Sequence, residues 1–348
     1  LGEPNALRPG GIEHKLGIHG SPTCTMLFEG ARAELVGAPG QGLPAMFTMM
    51  NSARLNVGVE GVGIAERAYQ GALAYALDRR PGRSAWTGDH PAAIFDHPDV
   101  RRSLVMMKAR IEAARALCLE TAVNADLARV APTPEAREAA RLREELLVPI
   151  AKAWSTDMGV EVASQGVQIH GGMGFVEETG AAQHYRDARI APIYEGTNGI
   201  QAIDLAGRKL GLAGGAAVRA LFADVRATAG ELAGSAEGRL HGPAERLRTA
   251  VDAAERATDW LAVHKGSPDA LAGASGHLTL MGDVIGGWEL AKAALAAGRR
   301  PDAAYGTTKA ALLRVYADQV LSKADGLAAG VIAGAEDLAE VRAETLAA

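Results

Sequence analysis

The chain has 348 residues, a net charge of -5, and acidic and basic side chains mixed along its length. It contains no basic arm interleaved with aromatic residues, which argues against nucleic acid as the main partner, and no run of the ~18 apolar residues that a membrane-spanning helix needs. Two distant cysteines, Cys24 and Cys118, indicate neither a disulfide framework nor a zinc site. We therefore expect a globular protein of a reducing compartment, with the cytoplasm as the default.

The first 42 residues are rich in glycine and proline and contain short apolar pieces, such as residues 25–28 and 33–36. Short apolar pieces between turn-forming residues predict two or three short strands. The chain begins with Leu1 and carries no signal-peptide pattern, so we expect it to start within a longer protein.

Helical periodicity dominates the rest of the chain. The first long helix is predicted from about Pro44 to Arg79. The second is predicted to start at residues 96–98, with Asp96 as its capping residue, and to end near Val130. The third is predicted from 133–134 to about 168 with a kink at Pro149. Further helices are predicted at about 198–210, 216–234, 243–264, 268–297 and 303–331.

Two tryptophans, Trp260 and Trp288, lie in alanine-rich helical segments. Large rings between small side chains fill gaps in a helical core, so we interpret both as packing residues and not as ligand-stacking residues. The pattern as a whole predicts a mainly α protein, with two helical bundles in series after a short β segment.

Glu195 is a lone carboxylate within residues 193–199, Ile-Tyr-Glu-Gly-Thr-Asn-Gly. The apolar residues before it should desolvate the carboxylate, and Gly196 frees the backbone to bring it close to a ligand. These are the surroundings of a general base. The local pattern alone favours an ordinary turn, because Asn-Gly is a common turn dipeptide and Thr197 or Asn198 would cap the next helix.

Residues 168–175 read Gln-Ile-His-Gly-Gly-Met-Gly-Phe. Consecutive glycines after a helix let backbone amides approach a bulky anionic group, and Gln168 adds a directional side chain. The segment lacks the strand-turn-helix setting of a nucleotide fingerprint, so a Rossmann fold is rejected. A plain helix stop is the alternative interpretation.

Other candidate residues have ordinary structural explanations. Arg79 is equally explained as a cation that complements the dipole of the first helix, and Arg54 as a solvated residue of the same helix. His19 and His170 have no convincing partner. No spacing typical of metal ligands or of a serine nucleophile occurs, so metal catalysis and serine hydrolysis are not expected.

Taken in order, these segments resemble the acyl-CoA dehydrogenase family. The set comprises an arginine ending a long helix, the glycine-rich segment, Arg-Asp-Ala-Arg-Ile, and Ile-Tyr-Glu-Gly-Thr-Asn-Gly-Ile-Gln. Residues 14–24, 46–51 and 280–288 resemble the long branch of that family, which includes the 3-methylthiopropanoyl-CoA dehydrogenases. The resemblance implies the end of the middle β domain at 1–42, an FAD- and acyl-CoA-binding four-helix bundle at 43–212, and an additional helical C-terminal domain at 213–348.

The resemblance also implies an FAD-dependent oxidation of an acyl-CoA to a trans-2-enoyl-CoA. Glu195 is then the base that takes the α proton while a hydride leaves Cβ for flavin N5.

The implied partners are an electron-transfer flavoprotein or similar acceptor and a second copy of the chain, in a homodimer or homotetramer. The implied FAD contacts are Arg79, Gln168, Gly171, Gly172, Thr197 and Gly199, and the implied substrate contacts are Asn51, Arg54, Tyr194 and Gly196. Relatives carry glutamine where this chain has Gly199, so any side-chain contact from that position is lost.

The family's N-terminal helical domain and most of its β domain have no counterpart in the sequence. We expect the missing half to be supplied by the same polypeptide or by another one. Two alternatives stay open. One is an acyl-CoA oxidase, which passes electrons to oxygen, and the other is a non-catalytic helical module that binds a protein or DNA.

Overall fold

The computed structural model describes residues 2–347, apart from the side chains of Phe47 and Thr48. Near the start, β1 (Leu7–Ile12) pairs antiparallel with β2 (Cys24–Phe28) in a largely exposed hairpin. The predicted strand at 25–28 is confirmed. The predicted strand at 33–36 is wrong, because β2 pairs with β1 and no described strand lies beside that segment.

The rest of the described chain is mainly helical, as predicted. Within residues 2–347, no helix combines the length and the apolar character needed to cross a membrane. The helices are α1 (Gly42–Asp78), α2 (Pro98–Val130), α3 (Pro134–His170), α4 (Ala181–Ala188), α5 (Asn198–Asp204), α6 (Ala216–Ala233), α7 (His241–Val263), α8 (Pro268–Gly298), α9 (Ala303–Gln319), α10 (Ala324–Ile332), α11 (Glu336–Glu340) and α12 (Ala343–Leu346).

Most long helices begin and end within a few residues of their predicted bounds. The predicted helix at 198–210 is α5 followed by a π-helical turn, Leu205–Lys209. The predicted helix at 303–331 is divided into α9 and α10 by a short turn, Leu321–Lys323. α3 stays helical through Pro149.

Capping explains where α3 begins, and α2 begins without a side-chain cap. The Thr133 hydroxyl accepts a hydrogen bond from the Ala136 amide at 3.2 Å, and proline occupies the first turn of α3. The predicted cap of α2 by Asp96 is wrong. His97 holds that position, and Asp96 belongs to the preceding 3-10 turn, where its carboxylate pairs with Arg101 at 2.9 Å.

α1 and α3 lie parallel and in direct backbone contact. A Cβ added to Gly61 would lie 2.6 Å from the carbonyl oxygen of Ser155, so only glycine allows this approach. Further along both helices, the rings of Tyr75 and His170 meet with centroids 4.7 Å apart. The C-terminal ends of the two helices are therefore neighbours.

α2 packs on α3 in the opposite direction. The Cys118 sulfur lies 3.6 Å from the Ser155 hydroxyl, whereas Arg110, earlier in α2, pairs with Glu161, later in α3. The first three long helices thus form a bundle with α3 at its centre.

The C-terminal helices continue the same hydrophobic core through α8. Gly282 leaves room for the Trp154 ring, whose Nε1 donates to the Asp283 carboxylate at 3.0 Å. Lys292 on α8 also pairs with Glu120 on α2 at 2.9 Å. The core is continuous across residues 212 and 213, and the division into two helical domains there stays a prediction.

The tryptophans have the predicted packing role. Trp288 is buried and donates from Nε1 to the Thr228 hydroxyl at 2.8 Å. Trp260 is half-buried against the core and stacks on His264, with ring centroids 4.1 Å apart.

Candidate functional site

The loop between α4 and α5 carries Glu195 in an unusual backbone conformation. The φ angles are 54° at Glu195 and 85° at Gly196, both in the left-handed region. For a residue with a Cβ this costs on the order of 1–3 kcal/mol and persists only where surrounding contacts enforce it. The Glu195 side chain is half-buried, so its surroundings within this chain desolvate it in part.

Asn198 makes several of the hydrogen bonds that hold this loop in place. Its backbone amide donates to the Pro192 carbonyl at 2.9 Å, which closes the loop on itself. Its side-chain amide reaches α3, where it donates to the Ala153 carbonyl at 3.1 Å, the Thr156 hydroxyl at 3.0 Å and the Asp157 carboxylate at 2.8 Å. The loop is thereby fixed to the central helix of the bundle.

Lys152 of α3 and Gln201 of α5 approach the same loop, and the sequence interpretation identified neither. Lys152 Nζ donates to the Gly196 carbonyl at 2.9 Å and to Asn198 Oδ1 at 2.8 Å. Gln201 Nε2 donates to the Gly196 carbonyl at 3.2 Å. Burial lowers the pKa of Lys152 to about 8, although Asp157 and Glu195 oppose that change.

Arg54 lies beneath the loop and is buried, so its interpretation as a solvated residue is wrong. α5 covers it and brings Asp204 to 3.4 Å from its guanidinium. Within the described residues, the buried Nε of Arg54 has no hydrogen-bond partner. Asn51 lies three residues earlier on α1 and is half-buried on the same side of the helix.

Tyr194 points towards α1, where its hydroxyl donates to the Glu60 carboxylate. Burial and this carboxylate raise the pKa of Tyr194 above its ordinary value. Thr197 caps α5, since its hydroxyl accepts from the Ile200 amide at 3.3 Å, which confirms one of the two predicted caps. Gly199 is exposed in the first turn of α5.

The remaining predicted site residues form a second cluster at the C-terminal ends of α1 and α3: Arg79, Gln168, Gly171 and Gly172, all exposed. Sixteen residues of α3 separate Lys152 from Gln168, or ~24 Å at about 1.5 Å per residue. The structure therefore divides the predicted site residues between two places on one chain.

Arg79 gives the second cluster one side chain that can bind an anion. In the part of the chain that the structure describes, Arg79 forms no ion pair, and a Cβ added to Gly171 or Gly172 would contact nothing. The Arg79 guanidinium can pair with a phosphate or diphosphate group, whereas the Gly171 N–H already donates to the Gln168 carbonyl. Across residues 2–347, no three histidine, cysteine or carboxylate side chains are grouped to hold a metal ion.

The Arg-Asp-Ala-Arg segment has a structural role that the sequence did not reveal. Asp187 on α4 accepts a hydrogen bond from the Ile18 amide at 2.6 Å, and the Gly17 backbone packs against the same carboxylate. Asp187 thereby ties the N-terminal segment to the helix that leads into the Glu195 loop.

Comparison with known proteins gives a consistent result. A family model described as "Acyl-CoA dehydrogenase, C-terminal domain" matches residues 40–210, and one described as "Acetyl-CoA dehydrogenase C-terminal like" matches residues 221–342. The 3-methylmercaptopropionyl-CoA dehydrogenase of Ruegeria pomeroyi is 47% identical over 319 residues, which are 89% of this chain and 54% of that protein. A butyryl-CoA dehydrogenase of Syntrophomonas wolfei is 36% identical over 234 residues, 65% of this chain and 38% of that protein.

The fold is shared with a solved acyl-CoA dehydrogenase from Bacillus anthracis, complexed with FAD. The TM-score is 0.76 at 21% identity, and the match covers 98% of this chain and 58% of that chain. The chain spans about half the length of the Ruegeria relative.

Proposed function

Because the chain belongs to the acyl-CoA dehydrogenase family, we propose that it is the C-terminal part of an FAD-dependent enzyme that oxidises an acyl-CoA to the trans-2-enoyl-CoA. The observation that carries this proposal is the Glu195 loop, where a half-buried carboxylate is held in a costly backbone conformation next to the buried guanidinium of Arg54. A strained backbone that surrounding contacts hold in place is common at functional residues, and this supports a catalytic role for Glu195.

In the proposed reaction Glu195 removes the α proton of the thioester. That proton leaves more readily when the developing negative charge on the thioester oxygen meets a hydrogen-bond donor. Within residues 2–347 the backbone N–H of Glu195 has no acceptor, so it is free for this role. FAD, when bound, supplies flavin N5 as the acceptor of the hydride that leaves Cβ.

The substrate is proposed to lie over Asn51, Arg54, Tyr194 and Gly196. The unpartnered Nε of Arg54 supports this, because a buried donor needs an acceptor and a ligand oxygen would provide one. Asp204 pairs with Arg54 at 3.4 Å and with Arg208 at 2.6 Å, so it offsets only part of the charge of Arg54.

The two clusters support an assembly in which FAD is shared between subunits. Thr197 and Gly199 would contact the cofactor beside Glu195, whereas Arg79, Gln168, Gly171 and Gly172 would hold the diphosphate and adenosine of the cofactor that belongs to the neighbouring chain. A homodimer or homotetramer follows from this proposal, as does an electron-transfer flavoprotein or similar acceptor. We place the enzyme in the cytoplasm.

Charge pairing in the C-terminal helices favours this function over a DNA-binding module. Several arginines there pair with carboxylates of the same or a neighbouring helix or turn and so present little net positive charge: Arg226 with Asp252 and Glu255, Arg239 with Glu237, Arg248 with Glu245, and Arg256 with Asp325. DNA binding that weakens steeply with salt would instead support the DNA-binding module.

The test uses the product of the complete open reading frame that encodes this sequence. We expect a flavin spectrum that bleaches without oxygen when a suitable acyl-CoA is added. Glu195→Gln should keep the flavin and lose the bleaching by at least ~10³-fold in rate, since it removes the base. Glu245→Gln is the matched control. It is the same chemical change, made at a residue of α7 that is 70% exposed.

Each outcome has a defined meaning. No flavin, or no bleaching with any thioester, would contradict the proposed function, and full activity of Glu195→Gln would remove Glu195 from its role. Admitting oxygen to the bleached sample separates the oxidase alternative, which would form hydrogen peroxide in proportion to enoyl-CoA.

A further inference from the structure

Lys152 is a buried cation that the proposed reaction leaves unused. The residue is 0% exposed, and within the described chain it forms no ion pair. Burying an ammonium group without a carboxylate partner is unfavourable, and lysine is seldom fully buried for that reason. Its hydrogen bonds go to the Gly196 carbonyl and the Asn198 side chain, so both stabilise the loop that carries Glu195.

We propose that Lys152 is a positioning residue that holds the Glu195 carboxylate in its reactive orientation by fixing the Gly196 carbonyl and Asn198. This inference rests on the proposed function of Glu195. The left-handed backbone at Glu195 relaxes unless its neighbours are held. Rotation of that backbone swings the carboxylate, and a displacement of ~1 Å in an active site can cost ~10²-fold in rate.

Removing Lys152 would leave weaker support for the loop. The Gly196 carbonyl would keep the Gln201 amide at 3.2 Å, and Asn198 would keep its contacts with α3. A charge-assisted hydrogen bond is roughly twice as strong as a neutral one, so the ammonium contributes more than the amide that would remain. The loop should therefore open more often without unfolding the bundle.

The charge of Lys152 gives the proposal a pH dependence. Asp157 on α3 and Glu195 on the loop face the ammonium group and favour its charge, whereas Arg54 on α1, itself paired with Asp204 on α5, opposes it. With a pKa of about 8, Lys152 is charged below that pH and neutral above it. Turnover should fall as the pH rises through about 8, because the hydrogen bonds to the loop lose their charge.

Lys152→Met tests the proposal in the product of the complete open reading frame. Hydrogen exchange of the two hydrogen-bonded amides of the loop, Tyr194 and Asn198, should become about tenfold faster or more, as expected for a lost charged hydrogen bond. The value of kcat should fall ~10²-fold, with KM much less changed and without the decline above pH 8. Lys309→Met is the control, because Lys309 is only 14% exposed and its ion pair is with Glu112 of α2 instead of a residue of the loop.

The exchange measurement separates this inference from the proposed function. If no thioester reduces the wild-type protein, the proposed function fails, and the exchange rates still show whether Lys152 holds the loop. Unchanged exchange and kcat in Lys152→Met would overturn the inference. If that variant does not fold, Lys152→Gln keeps a neutral donor, and a preserved decline of kcat above pH 8 in it would equally overturn the proposal.

Discussion

Glu195 and Lys152 are each held in an unfavourable state. Glu195 belongs to the loop between α4 and α5, and Lys152 supports that loop from α3. Glu195 has a left-handed backbone, and Lys152 keeps an ammonium group in the protein interior. Proteins retain such local costs where geometry is needed for function and compensate for them elsewhere. The rest of the loop is accordingly over-determined, with Asn198 bound to three groups of α3.

Lys152 should also make the free energy of unfolding depend on pH. In the unfolded chain its pKa is near the ordinary value of 10.5, whereas in the folded protein it is about 8. Between these values the unfolded chain binds one proton more, so the free energy of unfolding rises with pH, by on the order of 1–3 kcal/mol in total. Chemical denaturation of the wild type and Lys152→Met at pH 7 and pH 10 should show this rise only in the wild type. An equal rise in both would place the proton on another group.

Sequence alone could not identify Lys152. It lies in Ala-Lys-Ala-Trp, and a lysine within a helix is usually solvated. Lys152 is buried because the Glu195 loop folds over α3, and Gly196 of that loop lies 44 residues later in the chain. The same holds for Arg54, which is buried where α5 brings Asp204 to 3.4 Å from its guanidinium. Glu195 and the glycine-rich segment were found because their motifs are local, and their roles stay predictions.

The contact between α1 and α3 fixes the frame on which the site is built. Arg54 lies on α1 and Lys152 on α3, so the spacing of these two helices sets the distance from each residue to the loop. Glycines with backbone atoms of the partner helix at less than 3 Å from a hypothetical Cβ allow that spacing. Gly58 and Gly61 on α1 meet the carbonyls of Ala151 and Ser155 in this way.

Gly61→Ala should therefore destabilise the protein. Its Cβ would lie 2.6 Å from the Ser155 carbonyl oxygen, and separating the helices to admit it costs about 1–3 kcal/mol. Gly63→Ala on the same helix is the control, because a Cβ there meets nothing within 4 Å and should add about 0.5–1 kcal/mol of helix stability. Thermal unfolding followed by circular dichroism measures both. A Gly61→Ala protein as stable as Gly63→Ala would show that α1 and α3 are not closely packed at Gly61.

At the scale of elements, the sequence predicted what local signals specify. The residues at 133–134 gave the start of α3, and the glycines that follow it gave its end. Elements that depend on distant partners were missed or misplaced. α4 is only eight residues long, polar, and held by contacts to the N-terminal segment, and β1 exists because β2 lies beside it.

For the whole molecule, the separation of the two clusters is the feature with the widest consequence. Arg79 and Gln168 lie at the far ends of α1 and α3 from the Glu195 loop. The apolar residues around the loop, Ile193 and Ile200, are also 48% and 49% exposed. Both facts fit the proposal that the site is completed by another polypeptide segment, such as a second copy of the chain.

If the cofactor is shared between subunits as proposed, two inactive variants should complement each other. Glu195→Gln lacks the base, and Arg79→Ala should bind FAD ~10- to 100-fold more weakly through loss of a charged hydrogen bond. In a mixed dimer one site would carry both defects, and the other would combine Glu195 of one chain with Arg79 of its partner, so it would be intact. Co-expression with random pairing should thus restore about a quarter of wild-type turnover at limiting FAD, since half of the dimers are mixed and each has one intact site of two. If each cofactor were held by a single chain, every site would keep one defect and the mixture would be no more active than the average of the two variants.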